Sequence, residues 1–169
     1  MNDAIWLTLA ATLIASLYDL RSRRIPNFVT VALAAGALLV HAFDGPPAVL
    51  TSLAVMAAVT LGGTLIFARG GIGGGDIKLA IAASGMLSYP LCLSFLLYSA
   101  LGGGLLAVLY LAFRPQYRAA LSRVVLIAAG NAPVAATQRV TLPYALAFAF
   151  GALAVALSQS VAPFLRIGP

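Results

Sequence analysis

The sequence predicts an all-α integral membrane protein with about six transmembrane helices and a further helix lying at the cytoplasmic interface. Three observations predict this. Of the 169 residues, 62% are hydrophobic and 8% are charged, with a mean hydropathy of +1.04, whereas a soluble surface needs roughly a quarter of the residues charged. Several apolar stretches approach the ~20 residues that cross a bilayer. The basic residues fall between those stretches rather than within them. The expected organisation is a single polytopic domain over residues 1–169, with no appended soluble domain.

The first span is expected over residues 4–20. Asp3 precedes it and Arg21, Arg23 and Arg24 follow it, the reverse of a cleaved signal peptide and the pattern of a retained helix ending in the cytoplasm. Pro26 disfavours helix at Ile25 and suits the start of a second span over 28–43. Asp44-Gly45-Pro46-Pro47 is a strong breaker. A third span follows over 48–67, with Gly62-Gly63 permitting close packing or a bend. After the glycine-rich run 69–75, a fourth helix is expected over 76–88. It is short for a full span, which suits a start below the head-group level in a protein-lined or wet recess. Ser88-Tyr89-Pro90 ends it. A fifth span over 91–113 carries Gly102-Gly103-Gly104, a candidate kink. Residues 114–139 place Arg118, Ser122 and Arg123 against Leu121, Val124 and Val125 at helical spacing, which predicts an interfacial amphipathic helix. The last span is expected over 142–161.

Alternate threading of these spans puts nine basic residues on one side: Arg21, Arg23, Arg24, Arg69, Lys78, Arg114, Arg118, Arg123 and Arg139. Only Arg166 falls on the other. This bias makes the first side cytoplasmic and the N-terminus external. The net charge of +6 therefore points to topology and anionic lipid rather than to nucleic acid. Arg21, Arg23, Arg24 and Lys78 are not assigned to substrate. Lone Cys92 and lone His41 offer neither a disulfide framework nor a metal site, and no cofactor or metal is expected.

The chain contains no glutamate and four aspartates. Threading sends Asp3 and Asp44 outside and brings Asp19 and Asp76 to the cytoplasmic membrane face at similar depth. A carboxylate at a membrane segment is costly without a partner. Taken alone, Asp76 would serve as a helix N-cap and Asp19 as an ion-pair partner of Arg23. Taken together, two aspartates sharing a site hold one proton between them near neutral pH. That state suits amide hydrolysis by activated water: one carboxylate takes a proton from water while the other polarises the carbonyl and protonates the leaving amine. Helix polarity favours Asp76, at a helix start, as the resting base and Asp19, at a helix end, as the acid; the arginines after Asp19 oppose this order. Gly73, Gly74 and Gly75 let a peptide backbone approach closely. Asp76, Leu79, Ala80 and Ala83 share one face of the fourth helix, where the alanines are expected to leave room for an extended substrate. Lys78, about 200° round the helix from Asp76, is expected to face head groups or another helix.

Gly73-Gly74-Gly75-Asp76 resembles the G-x-G-D signature of polytopic membrane aspartyl proteases. Gly-Gly-Gly-Asp-Ile-Lys-Leu at 73–79, with Asp-Leu-Arg-Ser-Arg-Arg-Ile-Pro-Asn at 19–27, closely resembles prepilin peptidases. The resemblance runs over most of the chain, by hydropathy only beyond about residue 113. It implies an enzyme of the bacterial cytoplasmic membrane that removes the basic leader from type IV-like or Flp-type prepilins, with Asp19 and Asp76 as the catalytic pair. Larger members carry a cytoplasmic insertion, often with a cysteine tetrad, and N-methylate the new N-terminus. This chain lacks both features and is similar to the short Flp/Tad-pilus type, so no methyltransferase activity is expected. Two other classes stay open on the residues alone. One is a small proton- or cation-coupled transporter using the aspartates as a relay, though it would want deeper carboxylates and repeated helix units. The other is a non-catalytic assembly factor for a pilus or secretion machine.

Overall fold

The computed structural model describes residues 2–68, 73–113 and 144–165. Among the described residues it is all-helical: α1 (Asn2–Ser22), α2 (Asn27–Phe43), α3 (Pro46–Ala68), α4 (Gly74–Leu87), α5 (Leu91–Phe113) and α6 (Ala145–Leu165). Three stretches are long and apolar enough to cross a membrane: Asp3–Ser22, Pro46–Ala68 and Leu91–Leu109. Asn27–Phe43 and Ala145–Ser160 are shorter apolar helices. The interfacial helix expected over 114–139 lies outside the described residues.

Local chemistry sets the ends. Asp3 in the first turn of α1 complements the positive pole of the helix. Arg23, with φ 51°, enters the left-handed region just past the end of α1, and its N–H reaches the Asp19 carbonyl at 2.8 Å. That reversal stops α1 one turn after Asp19. Pro26 is extended (φ −65°, ψ 134°) and caps α2. Gly45, at φ 100°, turns the chain between α2 and α3, and Pro46 then occupies the first position of α3, where a missing N–H costs nothing.

The short helix α4 is the hub. At 14 residues it is ~21 Å long, well under the ~30 Å hydrocarbon core. Nine of its residues are buried, because α1, α2, α3 and α5 all pack on it. A helix that is apolar all round belongs in such a centre. Leu79, Ala82, Ala83, Met86 and Leu87 join Leu33, Ala37 and Phe95 in one core cluster. Helix α6 packs on the other side, against α5 and α1.

Several polar groups inside this bundle are tied to backbone. Thr8, Thr12 and Ser16 of α1 donate to carbonyls four residues back at 2.7, 2.8 and 2.7 Å, so these buried hydroxyls carry no unmet donor. Ser52 of α3 donates to the Gly85 carbonyl at 2.9 Å. His41 sits in the last turn of α2 with Nε2 3.2 Å from the Met86 carbonyl. At the other end of the same helix pair, Lys78 donates to Asn27 Oδ1 at 3.1 Å. These two bridges show that α2 and α4 run parallel.

Several glycines of the bundle sit at close helix contacts. Helix α5 continues without a break through Gly102-Gly103-Gly104. A Cβ on Gly102 would stand 2.6 Å from Phe150 Cδ1 of α6, and one on Gly63 would stand 2.9 Å from Ile77 Cγ2 of α4. Gly151 is the tightest. Its Cβ would overlap Ser99 Oγ and come within 2.8 Å of the Phe95 carbonyl oxygen and 2.9 Å of the Ser99 nitrogen. Because those last two are backbone, α5 and α6 would have to separate. Gly151→Ala is expected to destabilise the bundle by about 1–3 kcal/mol. Gly104→Ala, with nothing within 4 Å, is expected to leave it unchanged or slightly more stable. Thermal unfolding of both variants in detergent micelles checks the pair.

Candidate active site

Three helix ends meet at the two aspartates. Asp19 lies in the last turn of α1 and is 9% exposed. The arrest of α1 at Arg23 keeps it there, and the Arg23 charge acts on it. Its Oδ2 accepts the main-chain N–H of Ala145, the first residue of α6, at 3.4 Å in a buried setting.

Asp76 is the third residue of α4. Helix α4 begins at Gly74, two residues earlier than expected, so Gly73 rather than Asp76 is the N-cap. The Asp76 carboxylate instead reaches back to the Gly73 N–H, the geometry of one half of a capping box. Gly73 has no side chain with which to return the bond, and a Cβ there would come within 2.8 Å of Asp76 Oδ2. The charge of Asp19 acts on Asp76, which puts the two carboxylates within electrostatic reach of each other.

The stretches 19–27 and 73–79 touch at further points. A Cβ on Gly75 would lie 3.4 Å from Ile25 Cβ, so Ile25 packs against the glycine turn. Lys78, turned away from Asp76 as its spacing predicts, binds Asn27. The Arg-Ile-Pro-Asn turn therefore holds the start of α4, and with it Asp76, beside the end of α1. Gly73 and Gly74 are exposed and Gly75 is partly so. At this point the backbone lies open to an approaching chain.

The other expected lining residues are placed differently. Leu79 and Ala83 are fully buried and Ala80 is 8% exposed. Leu79 and Ala83 belong to the central cluster, so their face of α4 is filled by neighbouring helices rather than left open for substrate.

Sequence reasoning missed Tyr144 and Ala145. Tyr144 is partly buried just before α6. Burial, and then the negative charge of Asp76, push its phenol up, which leaves it a neutral hydroxyl at physiological pH. One signal for it was present. Tyr144 lies near the start of the last expected span, 142–161, and alternate threading brings that end to the same side as the aspartates.

A two-carboxylate centre with an exposed glycine turn, one phenol and two backbone donors can hold a shared proton, orient water and accept an extended backbone. The family model for the type IV leader peptidase family matches residues 6–108, a stretch that includes both aspartates and the glycine turn. No curated protein and no solved structure matches the chain.

The Gly73 N–H bond to Asp76 gives a direct test of the site's construction. Gly73→Ala keeps a backbone conformation any residue adopts (φ −73°, ψ 148°) but pushes the Asp76 carboxylate aside. Gly74→Ala meets only Phe67 Cε2 at 3.8 Å. Followed by the infrared carbonyl band of the protonated carboxyl, Gly73→Ala is expected to shift the titration of the aspartate pair, and Gly74→Ala to leave it in place.

Proposed function

The chain belongs to the type IV leader peptidase family, and on that basis we propose that it is a membrane aspartyl endopeptidase of the bacterial cytoplasmic membrane. It removes the leader peptide from type IV or Flp-type prepilins at the cytoplasmic face and does not methylate the product. The observation that carries this reading is the placement of Asp19 and Asp76, from two different helices, within reach of each other's charge beside an exposed glycine turn.

In this proposal all six helices cross or enter the bilayer, with the N-terminus outside. The shortness of α4 supports an active site recessed from the head groups. A prepilin carries an apolar segment that stays in the lipid and a leader that reaches the cytoplasm. The scissile peptide then passes Gly73, Gly74 and Gly75, whose backbone it can approach closely.

The chemistry follows from the shared proton. The ionised carboxylate takes a proton from water, and the resulting hydroxide attacks the scissile carbonyl carbon. The protonated carboxyl gives its proton to the developing oxyanion. When the tetrahedral intermediate collapses, the second carboxylate takes a hydroxyl proton back, the C–N bond breaks, and the amine leaves with the proton that the first carboxyl returns. Neither a covalent intermediate nor any group beyond the two carboxyls and water is required. A pair that works in one protonation state gives a bell-shaped dependence of rate on pH.

Co-expression with a Flp-type prepilin, with the prepilin's mass followed by mass spectrometry, tests this. The wild-type chain is expected to release the leader and leave an unmethylated N-terminus. Asp19→Asn and Asp76→Asn are each expected to reduce cleavage by about 10³-fold or more while still inserting in the membrane. Several candidate prepilins left uncut by the wild type, or full cleavage by either variant, would overturn the assignment.

A further inference from the structure

We propose that Phe67, at the end of α3, is a specificity-determining residue: with Ile25 it walls an apolar trough over the glycine turn, which takes an uncharged, apolar side chain of the prepilin segment passing Gly74. The inference rests on the peptidase reading and deepens it, because it names what the site selects.

The register of α3 on α4 puts Phe67 there. The two helices run antiparallel. Ser52 of α3 donates to the Gly85 carbonyl near the end of α4, and Gly63 opposes Ile77 in the first part of α4. Phe67 lies four residues beyond Gly63, on the same face of α3. Gly74 lies three residues before Ile77, about one turn nearer the start of α4. A Cβ on Gly74 would accordingly stand 3.8 Å from Phe67 Cε2, an ordinary contact distance. The packing that seats α3 on α4 thus also holds the ring at the edge of the turn.

Phe67 is 52% exposed, so part of the ring meets the turn and the rest is open. At the next residue, a Cβ on Gly75 would meet Ile25 Cβ, Cγ1 and Cδ1 at 3.4, 3.7 and 3.8 Å. Two apolar side chains, one from α3 and one from the turn between α1 and α2, therefore flank consecutive glycines. Gly73 and Gly74 themselves are exposed, and the floor between the walls is bare backbone that an extended chain can approach closely.

The chemistry of the walls sets the preference. An apolar side chain laid against Phe67 and Ile25 gains by leaving water. A carboxylate there would lose hydration and would stand near Asp76, whose Oδ2 lies 2.8 Å from the place of a Gly73 Cβ. Lys78, the basic residue of α4, is turned to Asn27 and does not offset that charge. The hydrolysis itself asks nothing of the ring, so Phe67 selects substrate without taking part in the proton transfers.

The test changes a Flp-type prepilin at each of the three residues on either side of the cut in turn, to Leu, Ala and Asp. Cleavage is followed in nanodiscs as kcat and KM for the wild type, Phe67→Ala and Phe67→Leu. The wild type is expected to prefer Leu over Ala by about ten-fold in kcat/KM at one of these positions and to cut the Asp form more slowly still. Phe67→Ala is expected to erase that preference, mainly through KM, while cleavage of the Ala form stays nearly unchanged. Phe67→Leu is expected to keep most of it. The infrared titration of the aspartate pair is expected to stay in place in both variants. A ring that only packs α3 onto the turn would slow every substrate by the same factor in Phe67→Ala, and that result overturns the proposal. A Leu preference that survives in Phe67→Ala overturns it too. A wild type that cuts the parent prepilin but favours Asp, or shows no preference at any position, sinks this inference and leaves the peptidase reading standing. A parent prepilin left uncut by the wild type sinks both.

Discussion

Two carboxylates are held together inside a bundle that is otherwise almost wholly apolar, and the rest of the structure follows from making that tolerable. Burying one unpaired carboxylate costs several kcal/mol, and burying a second beside it costs more unless a proton is shared. The compensation comes from backbone. Asp19 takes the Ala145 N–H and Asp76 takes the Gly73 N–H. Both donors belong to helix starts, where N–H groups lack intrahelical partners and the helix dipole favours negative charge. A chain without glutamate, and with its lysine and arginine mostly in connections, can build such a centre only where helix ends converge.

That requirement explains why the short helix is central. At 14 residues, α4 is wrapped by α1, α2, α3 and α5, so packing holds it on every side. The Lys78–Asn27 and His41–Met86 bridges tie its two ends to α2, and Ile25 closes on Gly75. The Arg-Ile-Pro-Asn turn is thus a clamp on the start of α4 as well as a topological signal. Its role is visible only once α2 is seen to run parallel to α4.

The pair itself was legible in the sequence because two independent signals agreed. The glycine run before Asp76 marked a backbone position of unusual freedom, and the distribution of arginine placed Asp19 at the same face. Helix existence was legible for the same reason that membrane helices usually are: hydropathy alone carries it. What failed was orientation about the helix axis. Leu79, Ala80 and Ala83 do share a face with Asp76, but in a helix apolar all round, periodicity cannot tell a groove from a core, and here that face is core. The close contact at Gly102 was not legible either. Its partner, Phe150 of α6, lies far away in sequence and leaves no local trace. Ala145 was missed because a main-chain N–H has no side-chain signature.

The third helix end also changes how the two aspartates are compared. From the polarity of their own helices, Asp76 at the start of α4 should carry charge more easily than Asp19 at the end of α1. The head of α6 removes that contrast. Asp19 faces the negative end of α1 but receives an N–H from the positive end of α6, so both carboxylates experience a helix start. The Arg23 charge acting on Asp19 then adds to that balance. A pair balanced in this way titrates as a unit, and small forces decide where its proton sits. Sliding α6 along α5 would move the Ala145 N–H and weaken its hold on Asp19. Gly151 and Gly102, far from the aspartates in the sequence and without side chains of their own, therefore belong to the same device as the pair, because the close α5–α6 contact they permit fixes the height at which α6 meets the active site.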